Sequence, residues 1–233
     1  MKILLFIVTY KASYRVVKVI DEIPKKYFAK HNYKILISDD SSKDSTIEYM
    51  KILKRKNKKI ILNFNKKNIG YGANIKRCIN YAFKNNYDYA AMIHGDNQYS
   101  SKFLGQMFND IIKKKAAAVT GSRMRKRKDA LKGGMPLYKF LGNIFLTKIF
   151  NLFNQSKFSD CHTGYWVYNL GQIKQKWLKN FDNGFLFDLD MRQKLLKKKL
   201  KISEVSIPTR YGDERSSVHF NYAIRFFLKS IFS

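Results

Sequence analysis

The stretch Met92-Ile93-His94-Gly95-Asp96-Asn97-Gln98-Tyr99 sets an acidic residue and an amide directly behind an apolar run. Residues 90–93 have the character of a buried strand, and alternate positions on a strand would place Asp96 and Gln98 on the same face. Two such oxygen ligands can hold Mg2+ or Mn2+ against a diphosphate, because both ions prefer oxygen and share their ligands with phosphates. The end of this strand is therefore the predicted centre of the chemistry.

Apolar strands alternate with helical segments along the first half of the chain. The predicted strands cover residues 3–9, 34–38, 59–63 and 90–93, and the predicted helices between them cover residues 14–22, 46–56 and 70–85. Continuous apolar strands separated by helices predict an α/β fold with a mostly parallel sheet covered on both faces. Ligands of such sheets bind at the carboxyl ends of the strands, so Asp39, Asp40 and Asp96 are expected on one rim.

The second half of the chain has a less regular pattern. A strand is expected over residues 116–120, followed by Gly121-Ser122-Arg123 and a cationic run that extends to residue 132. Further elements are an apolar and aromatic stretch over 137–153, a polar loop over 160–168 that runs into a short strand, a helix over 187–199, a strand over 202–207 and an amphipathic tail over 222–232. The 233 residues fit one large domain, placed at 1–220, with the tail at 221–233.

The charge of the chain is strongly positive, with 46 Lys and Arg against 17 Asp and Glu and a net charge of +29. Such a chain is attracted to polyanions, either nucleic acid or an anionic membrane surface. A hydrophobic content of 45% is enough to bury a core. The two cysteines lack the spacing of a zinc site or a disulfide framework, which indicates a reducing compartment. No apolar stretch approaches the ~20 residues that a membrane span needs.

Two further loops carry residues suited to a nucleotide, and each has a structural alternative. Asp39-Asp40-Ser41-Ser42 ends the second strand, where a carboxylate can accept hydrogen bonds from a base or a ribose, or can cap the next helix. Asn68-Ile69-Gly70-Tyr71-Gly72-Ala73-Asn74 is rich in glycine and enters a helix. It either lets the backbone approach a nucleotide or makes a tight turn, and it is not a Walker loop because no Gly-Lys-Ser/Thr follows.

The order of these motifs resembles that of one enzyme family. Asp-Asp-x-Ser, Asn-x-Gly-x-Gly-x-Asn, x-x-Asp-x-Gln and Gly-Ser-Arg follow one another as in the family 2 nucleotide-sugar glycosyltransferases, most closely dolichyl-phosphate mannose synthase and the bacterial polyprenyl-phosphate glycosyltransferases. The resemblance runs from residue 3 to about residue 220. It implies the GT-A fold, with a Rossmann-like, mostly parallel central sheet, helices on both faces and an irregular C-terminal part on the acceptor side.

The resemblance also implies roles for individual residues, with Asp96 and Asp160 as the catalytic carboxylates. A divalent metal, Mn2+ or Mg2+, would be held by Asp96 and Gln98, and Asp160 would act as a general base or orient a phosphate through a neighbour. The residues implied in binding the nucleotide sugar are Tyr10, Asp39, Asp40, Gly70, Asp96, Arg123, Arg210 and Arg215. The residues implied on the acceptor side are Arg123, Thr163 and Asp188, with Asp188 near the start of a helix.

Two positions depart from the family pattern. The metal motif of the family is Asp-x-Asp-x-Gln, and this chain has His94 at its first position. Imidazole suits Mn2+ better than Mg2+, so His94 implies either a weaker metal site or a hydrogen-bonding role, and the second is favoured. The first-strand motif Pro-x-Tyr-Asn-Glu becomes Val8-Thr9-Tyr10-Lys11-Ala12, which keeps Tyr10 for packing on the base and lacks the glutamate.

The resemblance, taken with the charge, predicts an inverting glycosyltransferase that moves a sugar from a GDP- or UDP-sugar to a polyprenyl phosphate. The enzyme would serve cell-envelope biosynthesis at the cytoplasmic face of a membrane, as a peripheral protein with a membrane-spanning partner and without nucleic acid. One alternative keeps the donor and takes a hydroxyl of a cell-surface glycan as acceptor. A second alternative is a basic nucleic-acid-binding protein, which the charge favours and the acidic strand ends disfavour.

Overall fold

Seven strands form one sheet within residues 1–208, 210–211 and 220–232, which are the residues that this computed structural model describes. They are β1 Lys2–Thr9, β2 Asn32–Asp39, β3 Ile60–Phe64, β4 Tyr89–His94, β5 Ala118–Ser122, β6 Trp166–Asn169 and β7 Ile202–Ser206. Their order across the sheet is β3-β2-β1-β4-β6-β5-β7. β6 runs antiparallel to both neighbours, whereas the other pairs are parallel, so the predicted mostly parallel sheet is confirmed.

Helices cover both faces of this sheet. They are α1 Arg15–Asp21, α2 Lys25–Phe28, α3 Thr46–Lys56, α4 Tyr71–Lys84, α5 Leu104–Lys114, α6 Arg127–Lys132, α7 Leu137–Phe153, α8 Phe187–Lys197 and α9 Phe220–Ile231. Odd-numbered residues of β1, from Ile3 to Ile7, lie in one apolar cluster with α1, α3 and α5, and even-numbered ones, from Leu4 to Val8, lie in another with α4 and α8. Because both faces are covered, β1 is apolar at each of these positions.

The register of the parallel strands brings three strand ends to one edge of the sheet. Thr9 at the end of β1 pairs with Asp39 at the end of β2, and Val8 pairs with His94 at the end of β4. The alignment continues past the strand, because the N–H of Gly95 donates to the carbonyl of Val8 at 2.9 Å. The predicted rim, with the acidic residues after β2 and β4 on one edge, is therefore confirmed.

The C-terminal helix α9 packs against α7. Phe226 of α9 is fully buried in a small apolar cluster with Phe150, Leu186 and Leu189. The other side of the helix leaves Leu228 exposed. The amphipathic helix expected for the tail is therefore present. Among the described residues, no helix combines the length and the apolar character that crossing a bilayer requires.

Two glycines with different surroundings make a matched test of the packing. A Cβ on Gly72 would lie 2.4 Å from the carbonyl oxygen of Asp182, whereas a Cβ on Gly142 of α7 would meet nothing within 4 Å. We expect Gly72→Ala to lower the free energy of unfolding by ~1–3 kcal/mol, because a backbone segment must move. Gly142→Ala should raise it by up to ~1 kcal/mol through helix propensity. Urea unfolding measures both, and a Gly72→Ala variant as stable as Gly142→Ala would contradict this packing.

Candidate active site

The turn that follows β4 carries Asp96 and Gln98. The strand ends at His94, and the chain then turns through Asn97, which has a φ of 61°. Oδ1 of Asp96 accepts the backbone N–H of Gln98 at 3.0 Å, which closes the turn. The prediction that Asp96 and Gln98 alternate on one face of a strand is therefore wrong, because the strand stops before either residue. A side-chain hydrogen bond within the turn holds the two together instead.

This turn fits a divalent metal that is shared with a diphosphate. Within the described ranges, no hydrogen bond reaches Oδ2 of Asp96. The same residues contain no group of three or more His, Cys, Asp or Glu side chains arranged to hold a metal ion. A metal at Asp96 and Gln98 would therefore complete its shell with the phosphate oxygens of a donor and with water. One or two carboxylates together with substrate phosphates are the usual surroundings of Mg2+ in nucleotide sites.

His94 belongs to a chain of three hydrogen-bonded side chains behind the rim. Its Nε2 atom lies 3.0 Å from the hydroxyl of Tyr71 on α4, and that hydroxyl lies 2.8 Å from Oδ2 of Asp188 on α8. When Asp188 is ionised, the Tyr71 hydroxyl must donate to it and accept from the Nε2–H of His94. Burial lowers the pKa of His94, which favours the neutral ring. The structure thus gives His94 the hydrogen-bonding role that the sequence favours.

Asp188 is buried and keeps one oxygen without a partner. It is 8% exposed, and in the described part of the chain its Oδ1 atom has no hydrogen-bond partner. Burial raises the pKa of this carboxyl to about 7, although the hydrogen bond from Tyr71 acts in the opposite direction. α8 begins at Phe187, so Asp188 lies in its first turn as predicted. A carboxyl with this pKa can take up or release a proton near neutral pH.

The two carboxylates at the end of β2 hold the loops of the rim. Asp39 is fully buried and accepts hydrogen bonds from the Thr9 hydroxyl at 3.0 Å and from the hydroxyl of Ser42 at 2.6 Å. Asp40 is 4% exposed and accepts from the side chain of Asn65 at 2.9 Å and from two backbone N–H groups of the glycine-rich loop. Both act on the protein's own loops here, and their contact with a base or ribose stays a prediction.

The glycine-rich loop before α4 makes a tight turn against another loop of the protein. Gly70 has a φ of 94°, and its N–H donates to Oδ2 of Asp40 at 3.0 Å. A Cβ on Gly70 would lie 2.7 Å from the carbonyl oxygen of Asn183, and Gly72 is equally close to this loop. The glycines therefore allow two protein backbones to approach each other. The tight-turn alternative is the one observed, and the N–H of Gly70 is committed to Asp40 rather than to a phosphate.

Two residues that are predicted to bind the nucleotide-sugar donor lie beside the rim. Tyr10 follows β1 and is 50% exposed, so its ring has room to pack on a base. The backbone N–H of Arg210 donates to the carbonyl of Gln98 at 3.2 Å, while its guanidinium pairs with Glu22 at 2.8 Å. A pyrophosphate contact by Arg210 would require this ion pair to open, and it stays a prediction. Arg215 lies outside the described residues.

A buried ion pair joins the end of β5 to the loop before β6. Nε of Arg123 lies 2.7 Å from Oδ2 of Asp160, and Nη2 lies 3.0 Å from Oδ1, so the contact is bidentate. Asp160 is fully buried and Arg123 is 8% exposed. Burial alone would raise the pKa of Asp160, but the charge and hydrogen bonds of Arg123 hold it well below its usual range. So acidic a carboxylate is a weak base, which favours the role of orienting Arg123 over that of general base.

Other polar groups complete the surroundings of this pair. The amide of Asn143 on α7 donates to Oδ1 of Asp160 at 2.9 Å, and Nη1 of Arg123 donates to the Tyr211 hydroxyl at 3.1 Å. The guanidinium carbon of Arg123 lies 5.7 Å from the ring centre of Tyr99, which adds a cation–π contact. Only a small part of Arg123 therefore remains exposed, and the direction of its guanidinium is fixed by the groups around it.

The rest of the loop before β6 is packed into the protein. Thr163 is fully buried, and its hydroxyl accepts the N–H of Tyr165 at 3.3 Å, so the predicted contact between Thr163 and an acceptor is not supported. The ring centre of His162 lies 4.2 Å from that of Phe226, with the planes tilted by 40°, and its Nδ1 lies 3.2 Å from the Tyr222 hydroxyl. Burial lowers the pKa of His162 to about 4. His162 is therefore a packed, hydrogen-bonded residue of this loop.

Two residues that hold the site together are not predicted from the sequence. Tyr71 links His94 to α8, and its position between the two glycines of the loop is the one signal that the sequence offers for it. Arg192 of α8 is fully buried, with its guanidinium carbon 4.5 Å from the ring centre of Phe158 and 4.8 Å from that of Trp166. Nothing in the sequence separates this arginine from the solvated lysines around it.

The raised pKa of Asp188 predicts a pH dependence of stability. The folded state binds the proton of Asp188 more tightly than the unfolded chain does. The protonated carboxyl therefore contributes to the free energy of unfolding below about pH 4, and this contribution is lost as the pH rises toward 7. Asp188→Asn removes this loss of stability, because the amide stays neutral at every pH. We expect the variant to gain up to about 4 kcal/mol over the wild type between pH 4 and pH 8. Urea unfolding at both pH values, with the exposed Asp21→Asn as control, measures the gain, and parallel profiles would contradict it.

Comparisons with known proteins concern the family and the fold of this chain. The family model described as glycosyl transferase family 2 matches residues 5–175, and no curated protein matches the chain. Glucosyl-3-phosphoglycerate synthase from Mycobacterium tuberculosis, crystallised with Mn2+, UDP and glucosyl-3-phosphoglycerate, is 12% identical with a TM-score of 0.65 over 98% of this chain and 78% of its own. TarS from S. aureus with UDP-GlcNAc is 15% identical with a TM-score of 0.58, covering 99% of this chain and 66% of its own.

A third similar solved structure holds a different nucleotide sugar. It is a mannosyltransferase from Pyrobaculum calidifontis in complex with GDP-Man and Mn2+, 11% identical, with a TM-score of 0.56 over 91% of this chain and 57% of its own. This chain thus spans less than two thirds of the length of the second and third structures. Identities this low show a shared fold, here GT-A, while the sequence match covers most of the chain. The protein belongs to glycosyl transferase family 2 and is a glycosyltransferase with the GT-A fold.

Proposed function

We propose that this enzyme transfers a sugar from a UDP- or GDP-sugar to a polyprenyl phosphate at a membrane surface, with inversion at the anomeric carbon. The bond between that carbon and the nucleoside diphosphate oxygen breaks as the bond to the acceptor phosphate oxygen forms on the opposite face. The narrower resemblance to polyprenyl-phosphate glycosyltransferases suggests this acceptor. The solved structures do not settle it, since that of glucosyl-3-phosphoglycerate synthase holds a different product.

The observation that carries the proposal is the way the cleft uses its carboxylates. Asp39, Asp40 and Asp160 each accept several hydrogen bonds from the protein, whereas Asp96 keeps Oδ2 without one among the described residues. Among these four carboxylates, Asp96 is thus the one left to face the donor. A phosphate acceptor is already ionised at neutral pH and needs no base, so a site in which Asp160 is committed to Arg123 suits it.

The donor side of the site works by holding charge in place. Asp96 and Gln98 would bind a divalent metal, as Mn2+ accompanies the nucleotide in two of the solved structures. A metal at that position supplies stabilisation of the negative charge that develops on the leaving diphosphate. Tyr10 would pack against the base, and Arg123, held rigidly by Asp160, would direct its exposed edge to a phosphate. Positioning and fixed charge of this kind account for much of catalysis in transfer reactions.

A second candidate function is favoured by Asp188. Its unpartnered Oδ1 and its pKa of about 7 are properties of a general base, which a sugar hydroxyl acceptor would require. In that case the donor is unchanged, the acceptor is a hydroxyl of a glycan, and Asp188 rather than Asp160 takes the proton. The same transfer assay separates the two functions.

The test is sugar transfer from labelled UDP- and GDP-sugars, with Mn2+, to a short polyprenyl phosphate and to a soluble glycan. We expect a lipid-linked sugar with the wild type and a loss of at least about 100-fold with Asp96→Asn, because the diphosphate loses its charge partner. Asp188→Asn should leave transfer to the phosphate within a few-fold. The exposed Asp21→Asn serves as the control for a carboxylate lost elsewhere.

Other outcomes assign the function differently. Transfer to the glycan alone, with a loss of ~100-fold or more in Asp188→Asn, would replace the phosphate acceptor by a hydroxyl. Transfer that is indifferent to Asp96→Asn would overturn the placement of the donor at the turn after β4.

A further inference from the structure

α7 turns its polar side inward. Asn143 and Thr147 are the buried polar residues of its inner face. Asn143 donates to Asp160, and the Thr147 hydroxyl accepts the N–H of Cys161 at 3.2 Å, so both serve the loop that carries Asp160. Surface helices of globular proteins usually place their apolar side against the core. α7 reverses this arrangement over its middle turns.

The outer side of α7 is an apolar surface open to solvent. Its large exposed apolar residues are Leu137 at 64%, Tyr138 at 71%, Leu141 at 56%, Phe145 at 57%, Leu152 at 71% and Phe153 at 50%. At about 100° per residue the first five lie within one arc of ~100°, along a helix about 25 Å long, and the exposed Lys148 is the one cation within that arc. We call these five apolar residues the outer stripe. A soluble monomer seldom exposes this many large apolar side chains along one side of a helix unless it contacts a partner or a membrane.

Exposed cations stand next to the outer stripe. Residues 123–158 contain nine Lys and Arg, and Asp129 is their only acidic residue. α6 packs against α7 at the start of the stripe. The exposed cations in and before α6 are Arg125, Lys126, Arg127, Lys128 and Lys132. Apolar side chains bordered by Lys and Arg are the pattern of an element that lies in the interface of an anionic bilayer.

We infer that the outer stripe and the cations of α6 form the surface by which this protein binds an anionic membrane. The inference rests on the lipid acceptor proposed above and deepens it by naming the docking face. A second copy of the chain is disfavoured as the occupant, because each copy carries a net charge of +29. Nucleic acid would pair with the cations and leave the outer stripe in water, so it accounts for the cations and not for the apolar residues.

The docking face connects directly to the acceptor side of the site. Asn143, on the inner face of α7, holds Asp160, and Asp160 holds Arg123. The width of one helix, about 10 Å, therefore separates the lipid surface from the ion pair. A lipid bound at the outer stripe would therefore hold its phosphate on the same side of the protein as the ion pair.

The test is flotation of the protein, without donor, on vesicles of phosphatidylcholine with phosphatidylglycerol and of phosphatidylcholine alone. We expect binding to the anionic vesicles only, weakened about tenfold or more by Leu141→Gln/Phe145→Gln. The matched control is Ile52→Gln/Ile112→Gln, since both isoleucines are 42% exposed on other helices. Lys126→Glu/Lys128→Glu should weaken binding to a similar degree, whereas Lys51→Glu/Lys56→Glu on α3, with the same change of net charge, should act less.

Three results would overturn the inference. One is equal vesicle binding by the stripe variant and its control. Another is a dimer of the wild type in sedimentation equilibrium that the stripe variant abolishes, which would make a second copy the occupant. The third is tighter binding to a random DNA duplex than to anionic vesicles, unaffected by Leu141→Gln/Phe145→Gln.

A companion assay keeps this inference separate from the proposed function. The stripe variant should lose transfer to polyprenyl phosphate embedded in vesicles and keep transfer to a short water-soluble prenyl phosphate. If the wild type binds vesicles through the stripe yet transfers no sugar to either lipid, the proposed acceptor fails and the docking face stands. If transfer to vesicles survives in the stripe variant, the docking face fails and the acceptor stands.

Discussion

The ion pair between Arg123 and Asp160 is the interaction on which the acceptor side of this protein depends. Two charges taken out of water are stable only when they pair closely and their remaining hydrogen-bonding groups are satisfied. The protein meets this requirement with groups from separate segments, since Asn143 comes from α7 and Tyr211 from the chain after β7. One pair thereby fixes the relative positions of β5, α7, the loop before β6 and the segment beyond β7.

The donor side depends on a different constraint, which is the register of β1, β2 and β4. That register sets the turn after β4 beside the end of β1, while Asp39 and Asp40 hold the loops around it. α7 connects the ion pair to the surface of the protein, because its polar inner face supports the Arg123–Asp160 pair and its outer face is apolar. In the proposed function, such a site would offer fixed charge to a nucleoside diphosphate on one side and an approach from a lipid surface on the other.

The sequence predicts the parallel strands and their rim well and the surroundings of the Arg123–Asp160 ion pair poorly, for physical reasons. Apolar strands that alternate with helices determine a parallel sheet locally, and the rim follows from it. α7 is not recognised as a helix because apolar residues on its outer side hide the usual period of a surface helix. The antiparallel direction of β6 and the pairing of Arg123 with Asp160, 37 residues apart, arise only in the folded chain. Both residues are predicted for the site, but not as partners of each other.

The most direct measurement of the central claim is a double-mutant cycle on the ion pair, read by urea unfolding at neutral pH. Arg123→Met and Asp160→Asn should each lower the free energy of unfolding by ~3–5 kcal/mol, because each leaves a buried group without its partner. The double variant should lose clearly less than the sum of the two. Arg225→Met, which breaks an exposed pair with Asp182, should cost under ~1 kcal/mol. Additive losses, or losses no larger than that of Arg225→Met, would contradict the account.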